Sequence, residues 1–244
     1  MNTALYRQTL GLLSLLGLVQ ATCAEIDRPQ SLPKIDPPSE KSIQTSISLG
    51  TEFLRLDQNP DGSWGSARQT KGLNIFAPVP GSHRAFRLAI TALCVSALIE
   101  TKSKDPSYKG IINKGEGYLL EHLPHLRRAT GVAIYNVWAH AYGIQALVRM
   151  GECSIGDPAR KAQIDQLIRI QFEMLQRYES VDGGWGYYDF RLGSKQPASS
   201  SISFVNGTVL LALHEAEKYG IEPPEDIVKR AYAATQRQRL PDHS

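Results

Sequence analysis

Three segments of this chain are apolar on nearly every side, and they constrain the fold more than any other feature. They are "RLAITALCVSALIE" (87–100), "AIYNVWAHAYGIQALVRM" (133–150) and "SFVNGTVLLALHEA" (203–216). A helix with no wet side has to be enclosed by other helices. Between them lie segments with a single apolar stripe. Ile43, Ile47, Gly50 and Leu54 recur at helical spacing, and so do Ile164, Leu167, Ile168, Phe172 and Leu175. Spacings of three, four and seven mark amphipathic helices; residues 110–128 and 224–239 read the same way. No stretch alternates with period two for long, so strands are not expected. The prediction is an all-α chain that repeats an outer amphipathic helix, a turn and an inner apolar helix. Outer helices start near 43, 110, 160 and 224, a mean period of about sixty residues that suits a helical-hairpin repeat.

The first 24 residues, "MNTALYRQTLGLLSLLGLVQATCA", carry one cation (Arg7), an apolar run from Leu10 to Val19, and small residues ending at Ala24. That is the build of a secretory signal peptide, with an uncleaved anchor or a buried helix as the alternatives. It predicts an exported protein, periplasmic or secreted. Residues 25–41 hold Pro29, Pro33, Pro37 and Pro38 and read as an extended spacer, which leaves 42–244 as the folded repeat domain. A net charge of +3 on 244 residues is too small to argue for a nucleic-acid partner. Once Cys23 leaves with the leader, Cys94 and Cys153 remain, and two free or buried thiols are the simpler expectation.

Two turns share an unusual composition: "LDQNPDGSWG" (56–65) and "SVDGGWGYYDF" (180–190). Asp61-Gly62 and Asp182-Gly183-Gly184 supply residues able to take positive φ for a reversal. Trp64 and Trp185, followed by Gly65 and Gly186, can then fold back over the end of the preceding helix. Gln58 is placed to hydrogen-bond or stack against the Trp64 ring. Burying an indole in this way is worth about 2–3 kcal/mol, so these turns read as structural fasteners. The second hairpin has "RRATG" (127–131) at the same place.

Phe53-Leu54, three residues, Gln58, three more, then Gly62-Ser63-Trp64 resembles the Gln–Trp motif of the squalene–hopene cyclase and prenyltransferase repeat family. The second turn is looser, since Gln176 sits farther from Gly183 and Gln171 fits no better. "GWGYYDF", "SFVNGTVLLALHEAEKYGIEPPEDIV" and "RQRLPD" look like exported bacterial proteins built from this repeat. The resemblance covers residues 43–244 and implies a terpenoid cyclase-like α/α toroid, with inner helices around an axis and any ligand in the barrel mouth. Six hairpins close such a ring. About three and a half are found here, which predicts a piece of a longer ring or an open arc whose last apolar face needs cover.

The family's catalytic signatures have no counterpart in the chain. An Asp-x-Asp-Asp acid cluster, a zinc set of Asp, Cys and His, and a Gly-Cys-Gly-Glu-Gln thioester stretch are all missing. No catalytic residue, cofactor or metal is therefore assigned. Asp57, Asn59, Asp61 and Gly62 match the first half of a calcium loop, but Arg68 stands where the chelating Glu belongs. His122 and His125 flank Pro124 without a third ligand and read as a solvated helix end. Asn206-Gly207-Thr208 is formally a glycosylation site on an apolar helix, which favours burial.

Tyr135, Asn136, Trp138, His140 and Tyr142 form the candidate ligand cluster, on the second inner helix. Asn136 and His140 share one face, and Trp138 and Tyr142 another. They read either as a cavity wall for an isoprenoid or a sugar, or as hydrogen-bonded core packing. Tyr187, Tyr188, Phe190 and Arg191 form either an aromatic lip or a structural plug. Arg84 and Arg87 open the first inner helix, where they pair with turn carboxylates such as Asp61 or meet an anionic ligand. The expectation is an exported binding or scaffold module that presents its concave face and Trp turns to a protein, glycan or lipid. Self-association through the open end is a further route to cover. The alternative is a terpene cyclase-like or polysaccharide-processing enzyme whose acid lies in a missing C-terminal half.

Overall fold

The computed structural model describes residues 36–66, 80–102, 104–128, 130–154, 156–186, 188–189, 197 and 201–239. The leader, most of the spacer, Tyr187, Phe190 and Arg191 lie outside the described residues. The chain divides into two units, 1–40 and 41–244, and apart from Glu40, the first residue of α1, the helices belong to the second. Among the described residues it is all-α: α1 (Glu40–Leu56), α2 (Pro80–Lys102), α3 (Lys109–His122), α4 (Asn136–Glu152), α5 (Pro158–Tyr178), α6 (Ser203–Tyr219) and α7 (Glu225–Arg237). No described helix is long and apolar enough to cross a membrane.

Helix boundaries follow local chemistry. α5 starts with Pro158 at its first position and the Asp157 carboxylate accepting from the Arg160 N–H at 3.0 Å. α6 ends on Gly220 at φ 100°, the left-handed stop that glycine takes without strain. The helix expected over 110–128 is shorter. Pro124 has no N–H to continue the ladder, so α3 ends at His122 and a 3-10 turn, Leu123–His125, follows.

α4 packs between α2 and α6, with α5 behind it; α3 backs α2 and α7 backs α6. The row is parallel and in register, as pairs at its two ends demonstrate. Phe86 lies 4.9 Å from Tyr135 and Glu100 pairs with Arg149, both 49 residues apart. Trp138 stacks at 5.9 Å on Phe204 and Arg149 meets Glu215 at 2.8 Å, both 66 apart. In the back layer, ion pairs tie neighbours laterally: Arg160 on α5 reaches Glu116 on α3 at 2.7 Å.

Two expectations need correction. Of the predicted α1 stripe, Ile43 and Ile47 are exposed and Leu54 only half-buried, because no described helix lies along α1. The inner helices are likewise not enclosed on every side. Ile90, Leu93, Phe204 and Leu211 are exposed; among the described residues α2 and α6 each pack against one lateral neighbour, α4, and one helix behind, α3 or α7.

Candidate functional site

Both Trp turns are built alike. In the first, the Asn59 N–H donates to Ser63 O (2.8 Å) and the Gly62 N–H to Asn59 O (2.9 Å). In the third hairpin, Ser180 N–H donates to Gly184 O (2.8 Å) and Gly183 N–H to Ser180 O (2.9 Å). Gly62 and Gly183 sit at φ 89° and 91°, and a Cβ at either would strike a backbone carbonyl of the next outer helix, at Lys114 or Arg230. Each indole Nε1–H donates at 2.8 Å to the carbonyl ten residues earlier, Leu54 for Trp64 and Leu175 for Trp185. Each Trp backbone N–H donates to a buried side chain of the following helix, Thr91 Oγ1 at 3.0 Å and Asn206 Oδ1 at 2.6 Å. Asn206 is thus enclosed within the glycosylation-like sequence.

The fastener has a part that the sequence reading misplaced. Gln58 does not bond the Trp64 ring; its amide donates to Gly62 O and to Ile111 O on α3. The position six residues before the second Trp holds neither Gln176 nor Gln171 but Glu179. That carboxylate is buried and takes two hydrogen bonds from Arg230 on α7 (2.8 and 2.7 Å). Both residues lock a turn to the next outer helix, one with an amide and the other with an ion pair. The equal spacing to Trp was the available signal. Asp61 Oδ1 accepts from the Ser63 N–H and hydroxyl (3.1 and 2.7 Å), and Asn59 donates to Ser63 Oγ and Gly65 O. Asn59 and Asp61 Oδ1 are therefore taken within the turn, and Asp61 Oδ2 faces Arg87 on α2 at 3.5 Å.

The five candidates, four on α4 and Tyr135 just before it, separate by face. Asn136 and His140 are buried against α5 and form no part of an accessible wall. Gln171 Nε2 donates to Leu167 O, so its Oε1 accepts from His140 Nδ1–H (2.7 Å), and His140 Nε2 then accepts from Asn136 Nδ2–H (3.3 Å). The ring stacks at 6.0 Å on Tyr178. Trp138 and Tyr142, stacked at 5.9 Å, lie half-buried on the open side. Tyr135 sits at the head of α4, donating to the Tyr188 hydroxyl at 2.6 Å.

Burial lowers the His140 pKa from 6.5 to about 4, against the opposing hydrogen bond to Gln171. The imidazole is neutral in the fold, while the unfolded chain takes up a proton below about pH 6.5. Its contribution to stability is thus full above that pH and is lost as pH falls toward 4. Between pH 7 and pH 5 the loss amounts to about 2 kcal/mol. In His140→Leu this part of the slope of unfolding free energy against pH should vanish, measured by urea titration. An unchanged slope would remove His140 from this role.

By the register above, Leu93 of α2 stands beside Tyr142 of α4 and Trp138 of α4 beside Phe204 of α6 on the open side, and Ile90 of α2 and Leu211 of α6 are further exposed apolar residues on the flanking helices. At the far end of that side Arg149 holds both Glu100 and Glu215. Ile90, Leu93, Phe204 and Leu211 were missed because they stand in segments whose other sides are equally apolar. Compared with known proteins, the chain matches no family model, no curated protein and no solved structure. No group of side chains that could hold a metal ion is found among the described residues. Cys94 and Cys153 are free thiols, and burial raises the Cys94 pKa to about 12.

Proposed function

We propose that this chain is a binding module built from repeats of the squalene–hopene cyclase and prenyltransferase type, arranged as part of an α/α toroid and exported to the cell envelope. It works by holding an elongated apolar ligand or lipid chain along the open side of α2, α4 and α6. The observation that carries the reading is the group of exposed and half-buried apolar side chains on three parallel helices, centred on the in-register neighbours Leu93 and Tyr142, and Trp138 and Phe204. Patches of this kind on otherwise well-packed proteins mark sites of interaction. The Trp turns do not take part, since Trp64 and Trp185 are only 1% and 0% exposed.

The test is a fluorescence titration with Nile red, a neutral apolar dye, followed by competition with a long-chain prenol. Saturable binding is expected, weakened at least about tenfold by Leu93→Glu or Leu211→Glu, a loss of roughly 1.4 kcal/mol in binding. Both sites are exposed, so unfolding free energy should change by no more than about 0.5 kcal/mol. Absence of saturable dye binding, or equal binding by both variants, would overturn the assignment of this face.

A further inference from the structure

A cleft of about 700 Å³ opens among the first Trp turn, the start of α2, the end of α3 and the loop after the 3-10 turn. That volume is within the range of small-molecule sites. Its lining is strongly cationic: four arginines and three histidines face one carboxylate, Asp61, among the described residues.

The arginines differ in what they already hold. Arg127 donates to Pro124 O and Leu126 O, and Arg128 donates to Thr130 O and to Asp189. Arg87 reaches Asp61 only at 3.5 Å and also meets the Tyr118 hydroxyl, while its Nε is buried without a hydrogen-bond partner. Arg84 is exposed and has no ion-pair partner among the described residues. Arg84 and Arg87 stand three apart, hence on one side of α2. They are the fifth and eighth residues of α2, whose first turn holds no acidic residue to pair with them. The helix itself gives no reason for guanidiniums there, whereas an anion in the cleft does. His122, edge-on to Tyr118 at 4.3 Å, also lines the cleft.

We infer that this cleft binds a small multivalent oxyanion, a molecule with two or more carboxylate or phosphate groups, gripped by Arg84 and Arg87. Guanidinium forks match either group with paired hydrogen bonds. The inference does not depend on the apolar face.

The experiment is calorimetric titration of the full chain at low salt with citrate, with tripolyphosphate, and with acetate as the monovalent comparison. At least one multivalent probe should bind saturably at one site and weaken as salt screens the charges. Arg84→Glu, at an exposed position, should reduce that affinity at least about tenfold, and Arg87→Gln should also reduce it. Lys229→Gln, which removes an exposed cation on α7, should leave it unchanged. Binding of citrate alone identifies a carboxylated ligand, and of tripolyphosphate alone a phosphorylated one; binding of both supports the shared chemistry. The inference is overturned if neither binds the wild-type chain, if acetate binds as tightly, or if Arg84→Glu does no more than Lys229→Gln.

Discussion

Trp185→Ala should destabilise the fold by about 4 kcal/mol, within the range for deleting a fully enclosed indole. The ring is completely buried, its Nε1–H holds the Leu175 carbonyl, and the adjacent backbone N–H is held by Asn206. Helices α5 and α6 are therefore fixed to the same residue from two sides. The variant keeps the backbone bond to Asn206 but leaves the Leu175 carbonyl without its indole donor, so a lost buried hydrogen bond adds to the lost burial and to the cavity cost. Typical domains have only about 5–15 kcal/mol in hand. Urea unfolding of the variant should show a midpoint shifted far below the wild type. Trp138→Ala is the comparison: that ring is half-buried on the open side, and its loss should cost less than half as much. Equal costs would mean that the Trp turn is not what fastens the hairpin.

Arg230→Ala is the second large effect, at about 3 kcal/mol. Glu179 is 2% exposed and both its oxygens are taken by Arg230, whose own side chain is 46% exposed. Removing the arginine strands a carboxylate in the core, and stranded partners of buried pairs typically cost about 3–5 kcal/mol. The low end applies because water reaches the arginine side of the pair. Glu179→Gln combined with Arg230→Ala should recover part of the loss, since no buried charge remains. Arg230→Lys should fall between, keeping the charge but not the fork. If the double variant is no more stable than Arg230→Ala, loss of packing and not of charge explains the effect.

The two Trp turns were legible where their signal is local. Trp64 and Trp185 each follow an Asp-Gly turn, and the structure gives them the same carbonyl partner ten residues back. Glu179 was not legible, because a motif stated as glutamine does not anticipate a carboxylate whose partner, Arg230, lies 51 residues away. Pro124 was visible, but its effect on α3 became clear only when the last turn tightened into a 3-10 turn.

The candidate cluster divides in the same way. Helical spacing alone separated Asn136 and His140 from Trp138 and Tyr142, since residues four apart share a face. It could not say which pair met solvent. α5 settled that by bringing Gln171 and Tyr178 onto His140. Nor could it bring His83 and Arg84 to the same cleft as His122 and Arg127, which are distant in the chain.

By itself, then, the sequence determined the order of helices, the turns between them and the pairs of residues sharing a helical face. Those depend on periodicity and φ preferences within a few turns of chain. The tertiary structure decided which side of α2, α4 and α6 stays open, what Glu179 pairs with and where the cations gather. Exposure and charge pairing belong to neighbours that only packing supplies.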